Sequence, residues 1–209
     1  QVISSSVPID PEITAEARAM GLTTSTTMNF LSMVFSEDRA QFTSVKAVDD
    51  KYPLRGRLIA GDSPFLPGQP VERGPVKGEI WMESRLFPAL SIARDDLLDV
   101  GTASFPVTRV LVKEPDRGGG FSNAGPRVLM HLDDVPATDV VQPGSRITYR
   151  YLFAGESAVI MKFAEWAKPR LGVESRLISI KEGSEGIGDA LERGERFLLL
   201  GSLLGVILA

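Results

Sequence analysis

The chain has 209 residues, 43% hydrophobic and 24% charged, with 23 basic against 27 acidic side chains and a formal charge of −4. That is ordinary globular usage, long enough to bury a sizeable core in one large or two small domains, and it excludes wholesale disorder and collagen-like structure. A mildly acidic chain with no long basic run does not suit a phosphate-tracking nucleic-acid binder.

Val2 and Ile3 begin a short strand. Asp10-Pro11-Glu12 reads as a helix start, with Asp10 as cap and Pro11 in the first turn. Ile13, Ala17 and Met20 recur at helical spacing, and Gly21 closes the helix. Residues 23–35 favour a strand whose alternation changes phase near Phe30-Leu31, which predicts a bulge. A polar turn at 36–39 leads back into a strand over 41–48. Residues 49–78, punctuated by Pro53, Pro64, Pro67, Pro70 and Pro75, predict an irregular traverse.

Residues 79–82 read as a short strand and 84–90 as a short helix. Residues 104–113 form a strand with apolar residues on both faces, expected to be buried on both. A loop over 114–125 precedes a strand over 127–132. Ile147, Tyr149, Tyr151 and Phe153 alternate with polar residues, the pattern of a half-buried strand. Ser157 opens a helix carrying Ile160, Phe163 and Ala167 towards Pro169. A strand over 177–180 follows, and Ser184 opens a helix that passes Leu191 and runs into 197–209.

With the middle set aside, the order is β-α-β-β and then β-α-β, close to a ferredoxin-like arrangement with an insertion after the first hairpin. The fold class is therefore α+β with two lobes. One is discontinuous (1–54 and 142–196), and the other is an inserted, mainly-β lobe (55–141). The elements of the discontinuous lobe look complete, so it is expected to fold with a short linker in place of the insertion.

Residues 197–209 contain no charge, and at 1.5 Å per residue they reach ~20 Å, short of a ~30 Å hydrocarbon core. Arg193 and Arg196 stand just before them, and Gly201 and Gly205 give a small-xxx-small spacing. A buried terminal helix and the start of a transmembrane helix both fit. The missing polar face favours the second. The chain opens on Gln1 rather than Met, as a fragment or processed product would.

Gly61-Asp62-Ser63 resembles the signature of GDS-type serine esterases, whose chemistry needs a histidine base. The one histidine, His131, falls on a predicted strand, and Ser63 is followed by Pro64, so turn chemistry is favoured. Arg117-Gly118-Gly119-Gly120-Phe121 lacks the spacing and the lysine of a phosphate loop and reads instead as a candidate partner-contact loop. Asp49-Asp50, Asp95-Asp96 and Asp133-Asp134 suit turns and caps. With no cysteine and one histidine, no catalytic constellation, cofactor site or metal site emerges, and the chain is expected not to be an enzyme.

Residues 44–56, from Ser44 through Lys46, Asp49 and Tyr52 to Gly56, resemble the extracytoplasmic region of FtsX-like/MacB-type ABC-transporter permeases, most of all the YbbP-type branch. So do Glu114-Pro115-Asp116-Arg117-Gly118-Gly119-Gly120-Phe121, Pro126-Arg127-Val128-Leu129-Met130 and Gln142-Pro143-Gly144-Ser145-Arg146. The resemblance runs in order over nearly the whole chain.

It implies a periplasmic domain between the first two membrane helices of a bacterial inner-membrane permease, with a two-lobed fold whose porter-like lobe comes from both chain ends. It also implies a homodimeric transporter with a cytoplasmic ATP-binding subunit, and a periplasmic protein or lipid-like substrate. The domain would couple ATP hydrolysis to conformational change in export or in lipoprotein- or lipid-type release. The alternatives are a GDS-type serine esterase and a stand-alone periplasmic interaction domain.

Overall fold

The first elements form as their spacing predicts. Asp10 accepts from the Glu12 amide at 2.9 Å, Pro11 opens the helix, and Gly21 turns the chain out of it at φ 85°. The computed structural model describes residues 1–117, 125–142 and 144–178. In chain order the elements are β1 (Val2–Ser5), α1 (Pro11–Ala19), β2 (Thr23–Ser36), β3 (Arg39–Val48), β4 (Leu58–Gly61), β5 (Gln69–Val71), β6 (Ile80–Glu83) and α2 (Leu86–Leu90). Then come β7 (Leu97–Val100), β8 (Ala103–Lys113), β9 (Arg127–His131), α3 (Val135–Thr138), β10 (Thr148–Ala154), α4 (Ser157–Ala167) and β11 (Ser175–Ile178).

The strands join one mixed sheet in the order β11-β1-β10-β2-β3-β9-β6-β8-β4-β5, with β7 pairing β2 and β8. Its first four strands are antiparallel, with β1 between β11 and β10 and with β2 outside. That is a ferredoxin-like order, and α1 and α4 bury Ile13, Ala17, Phe163 and Ala167 against Ile3, Tyr151 and Phe153. The parallel pair β3–β9 carries the sheet into the remaining strands.

The largest apolar cluster joins both parts of the chain. Phe30 and Val34 of β2, Val45 and Ala47 of β3 and Ile147 meet Met82, Leu86, Leu98, Val107 and Val128. A third cluster, around Val48, Tyr52, Leu58, Trp81 and Leu129, lies on the opposite face of β3.

The bulge expected at Phe30-Leu31 is absent: β2 and β3 pair without a break from Thr27↔Val48 to Ser36↔Arg39. The phase change instead marks a change of covered face. Ser25, Thr27 and Asn29 are buried on one side of β2, and Phe30 and Val34 on the other. A bulge does occur in β8, where Ile80 faces Val107 but Trp81 faces Arg109, leaving Thr108 extra. Burial of β8 on both faces holds for Phe105, Val107, Val110 and Leu111 but not for Val112, which is exposed.

The traverse expected over 49–78 contains the β4–β5 hairpin, in which Pro70 is tolerated because β5 is an edge strand. The strand expected at 177–180 begins earlier, at Ser175, antiparallel to β1. The helix expected from Ser184 and the apolar run 197–209 lie outside the described residues. Among the described residues, no helix is long and apolar enough to cross a membrane.

Candidate functional site: an apolar cleft over a buried ion network

The register of the three strands nearest the chain ends builds one wall of a cleft. Val2 stands opposite both Leu152 and Ile178, and Ser4 stands opposite both Arg150 and Arg176. Cross-strand partners share a face, so an apolar row, Ile178-Val2-Leu152, lies beside a row with arginine at both ends, Arg176-Ser4-Arg150. The helices cover the other face, through Ile3, Tyr151 and Leu177.

Facing the apolar row are Pro53 and Leu54 from the segment after β3, and Pro115 and Asp116 from the segment after β8. The space between is about 440 Å³. Gly56 lets the two segments of this second wall meet. Its φ is +77°, and a Cβ there would lie 2.4 Å from the Pro115 Cβ.

Behind this wall is a charged network inside the sheet. Lys46 of β3, 2% exposed, donates from Nζ to Tyr52 Oη at 2.7 Å, to Glu114 Oε2 at 3.2 Å and to Asp116 Oδ1 at 2.6 Å. Tyr52 also donates to Asp116 Oδ1. The other oxygen of Glu114 accepts from Arg127 Nε of β9 at 2.7 Å, and Arg127 also donates to Ser44 Oγ. Two cations thus face two carboxylates, and all three ammonium donors of Lys46 are used.

Asp116 and Tyr52 are the members of the network that line the cleft, and among the described residues Asp116 Oδ2 is buried without a hydrogen-bond partner. Burial raises the Asp116 carboxyl, but the Lys46 ammonium, with hydrogen bonds from Lys46 and Tyr52, outweighs it and holds the group below the usual carboxylate range. Burial, and then the charge of Asp116, push the Tyr52 phenol far above its ordinary range.

The next residue, Arg117, turns the other way. It donates to Glu83 Oε1, and to the Gly125 carbonyl at 3.1 Å, while the Arg127 amide donates to Glu83 Oε2 at 2.8 Å. The base of the candidate partner-contact loop is therefore tied to β6 and β9. Gly118, Gly119, Gly120 and Phe121 lie outside the described residues.

The remaining sequence candidates stay apart. Ser63 lies in the β4–β5 turn, beside an Asp62 that pairs with Arg94 at 2.9 Å. His131 ends β9, and its Nδ1 accepts from the Asp133 amide at 3.2 Å. Among the described residues no hydrogen bond or ion pair links Ser63 to His131, and no three acidic or histidine residues gather as a metal centre. The Asp pairs act as turn and cap groups: Asp49 accepts from the Thr26 and Lys51 amides, Asp96 from Ala93 and Asp134 from Gly78.

Sequence reasoning missed Lys46, Tyr52, Glu114, Asp116 and Arg127 as a unit. One signal was available: Lys46 sits inside Val45-Lys46-Ala47-Val48, where a strand buried on both faces has no room for an unpaired charge.

No family model matches the chain. It is 35% identical over 194 residues, 93% of its length, to a permease of Escherichia coli (strain K12) described as an uncharacterized ABC transporter permease YbbP, and it spans 23% of that relative's length. Its fold is similar to the extracellular domain of the noncanonic ABC-type transporter YknZ from Gram-positive bacteria, at a TM-score of 0.54 and 9% identity. That match covers 86% of this chain and 100% of the other. The periplasmic region of MacB from Actinobacillus actinomycetemcomitans is similar at a TM-score of 0.52 and 10% identity, over 91% of this chain and 92% of that one. By sequence the chain is similar to part of an ABC transporter permease, and by fold it is similar to the extracellular and periplasmic domains of YknZ and MacB.

Proposed function

We propose that this domain binds a substrate or partner on the periplasmic side of the bacterial inner membrane. There it couples ATP hydrolysis by a cytoplasmic ATP-binding subunit to conformational change, in export or in lipoprotein- or lipid-type release. The supporting observation is the cleft, because its two walls come from separate stretches of chain. One is the β11–β1–β10 face, and the other is the pair of segments around Leu54 and Asp116. A relative movement of these walls changes the volume available to a ligand, which is what a coupled binding site requires.

In this reading the permease is a homodimer and residues 197–209 begin a transmembrane helix. The lobes are 1–54 with 142–196, and 55–141. Arg117, Gly118, Gly119, Gly120 and Phe121 contact a periplasmic partner protein, with Arg117 anchoring the loop on Glu83.

The test uses the full permease with its ATPase. These 209 residues hold no cysteine, so in a permease cleared of any cysteine elsewhere Leu54→Cys with Leu152→Cys places one thiol on each wall for a short bifunctional thiol reagent. Bridging the walls should abolish coupled transport and substrate-stimulated ATP hydrolysis, and a cleavable bridge should restore both. A bridged permease that works at the normal rate overturns the reading. For the loop, Phe121→Ala should lower partner recovery while leaving ATPase assembly intact; unchanged recovery removes that contact.

A further inference from the structure

Arg55 and Arg150 line the cleft, and the register places Arg176 in the row beside it. Among the described residues, Arg55, Arg150 and Arg176 make no ion pair and no side-chain hydrogen bond, although the chain as a whole is acidic. Among the described residues, Asp116 is the one carboxylate lining the cleft, and it is near enough for Arg150 to lower its proton affinity. Its bonded oxygen, however, is committed inward to Lys46 and Tyr52. Asp116 thus balances at most one of the three arginines, and a net positive edge remains.

That edge is joined to an apolar surface at a defined spacing. Arg150 and Leu152 are two residues apart on β10, as are Arg176 and Ile178 on β11, so each guanidinium-bearing position lies about 7 Å along the strand from the apolar row. Leu54, Pro53 and Pro115 close over the apolar row. A cleft of about 440 Å³ is the size of a small-molecule site rather than of a flat membrane-docking face. Burying an alkyl chain there gains about 0.8 kcal/mol per methylene, and the arginines add a geometry that favours a planar or tetrahedral oxyanion.

We propose that the cleft binds a single anionic amphiphile, with its carboxylate, sulfate or phosphate head on Arg150 and Arg176 and its apolar chain along Val2, Leu152 and Leu54. This rests on the reading of the cleft as the binding site and adds its charge selectivity. The ligand is one molecule taken into the cleft, not a lipid surface. Asp116 works against a head that sits too deep: a second negative charge beside it meets repulsion, which keeps the head at the arginine edge and the chain inward.

The experiment is a fluorescence titration of the 209-residue chain with the probe 11-(dansylamino)undecanoic acid and with its neutral methyl ester. The acid should bind at least about tenfold more tightly than the ester, and more weakly as salt rises. Arg150→Glu with Arg176→Glu should lose at least about tenfold for the acid and leave the ester unchanged, whereas Arg150→Lys with Arg176→Lys should retain most of the acid binding. Leu152→Glu should weaken both probes. Circular dichroism and the thermal midpoint of each variant confirm that it is folded.

Equal affinity for acid and ester, or an acid affinity untouched by charge reversal, overturns the proposal. So does binding to phosphatidylglycerol vesicles without binding of the monomeric acid, since that describes a surface contact. Failure of the transport reading is seen separately, as an unaltered ATPase cycle in the wall-bridged permease.

Discussion

Lys46 donates to Asp116 across 2.6 Å from the interior of the sheet, joining a fully buried strand position to the wall of the cleft. An ammonium held there is tolerated because Glu114 and Asp116 balance it and Tyr52 takes its third proton donor. Among the described residues, Lys46→Met removes the cation and leaves Asp116 bonded to Tyr52 and Glu114 bonded to Arg127. The expected loss is about 3–5 kcal/mol in urea unfolding. Adding Asp116→Asn to Lys46→Met should recover a large part of it, since a neutral amide no longer needs a buried counter-charge. A loss below about 1 kcal/mol for the single variant would show that the network carries little.

Acid should unfold the domain through two carboxylates. Asp116 and Glu83 are both held below their usual ranges. For Glu83, burial acts upward but is outweighed by the hydrogen bond from Arg117 and by the Arg127 amide. A group with a depressed folded pKa contributes stability above its unfolded pKa, about 3.9 for Asp and 4.3 for Glu, and loses it as pH falls through the folded value. The urea midpoint should therefore hold down to about pH 5 and then fall steeply. Asp116→Asn should start lower and fall less. A parallel slope in that variant would assign the acid response to other groups.

Alkali acts with the opposite sign. The phenols of Tyr52 and Tyr151 are both raised, chiefly by burial, and Asp116 adds to the effect at Tyr52. The unfolded chain releases these protons near pH 10 while the folded chain retains them, so their contribution is complete below about pH 10 and declines above it. Tyr52→Phe should be less stable at pH 7, having lost two buried hydrogen bonds, yet show a smaller decline between pH 9.5 and about pH 11. An equal decline in the two proteins would exclude Tyr52 as the group responsible.

Periodicity made the outer elements legible and failed where a strand changes its covered face or its length. The capped helix, the Tyr149–Phe153 alternation and the ferredoxin-like order follow from local spacing. Along β2 the same rule produced a bulge that does not exist, because one strand runs from a region covered on one side to a region covered on the other. β4 and β5 are four and three residues long and carry Pro70, too little for alternation to register. The cleft was illegible for another reason. It assembles Val2 and Arg150 from two paired strands with Leu54 and Asp116 from two segments outside the strands, four distant stretches that no local spacing links.

Residues 55–141 complete a core that they share with the stretches on either side. Phe30, Val34, Val45 and Ile147 lie within the ends of the chain but bury their side chains against Met82, Leu86, Val107 and Val128 of residues 55–141. Each fully buried apolar side chain contributes about 1.5–3 kcal/mol, so exposing four of them removes stability comparable to the whole 5–15 kcal/mol of an ordinary domain. Excision also leaves Lys46 without Glu114 and Asp116. A chain with residues 55–141 replaced by a short Gly/Ser linker should therefore keep helical signal in the far ultraviolet but lose near-ultraviolet dichroism and cooperative urea unfolding. Replacing Phe30, Val34, Val45 and Lys46 with Thr or Gln in the same shortened chain should restore cooperativity if exposed core is the cause. A cooperative transition in the unmodified shortened chain would show instead that the discontinuous lobe is self-sufficient.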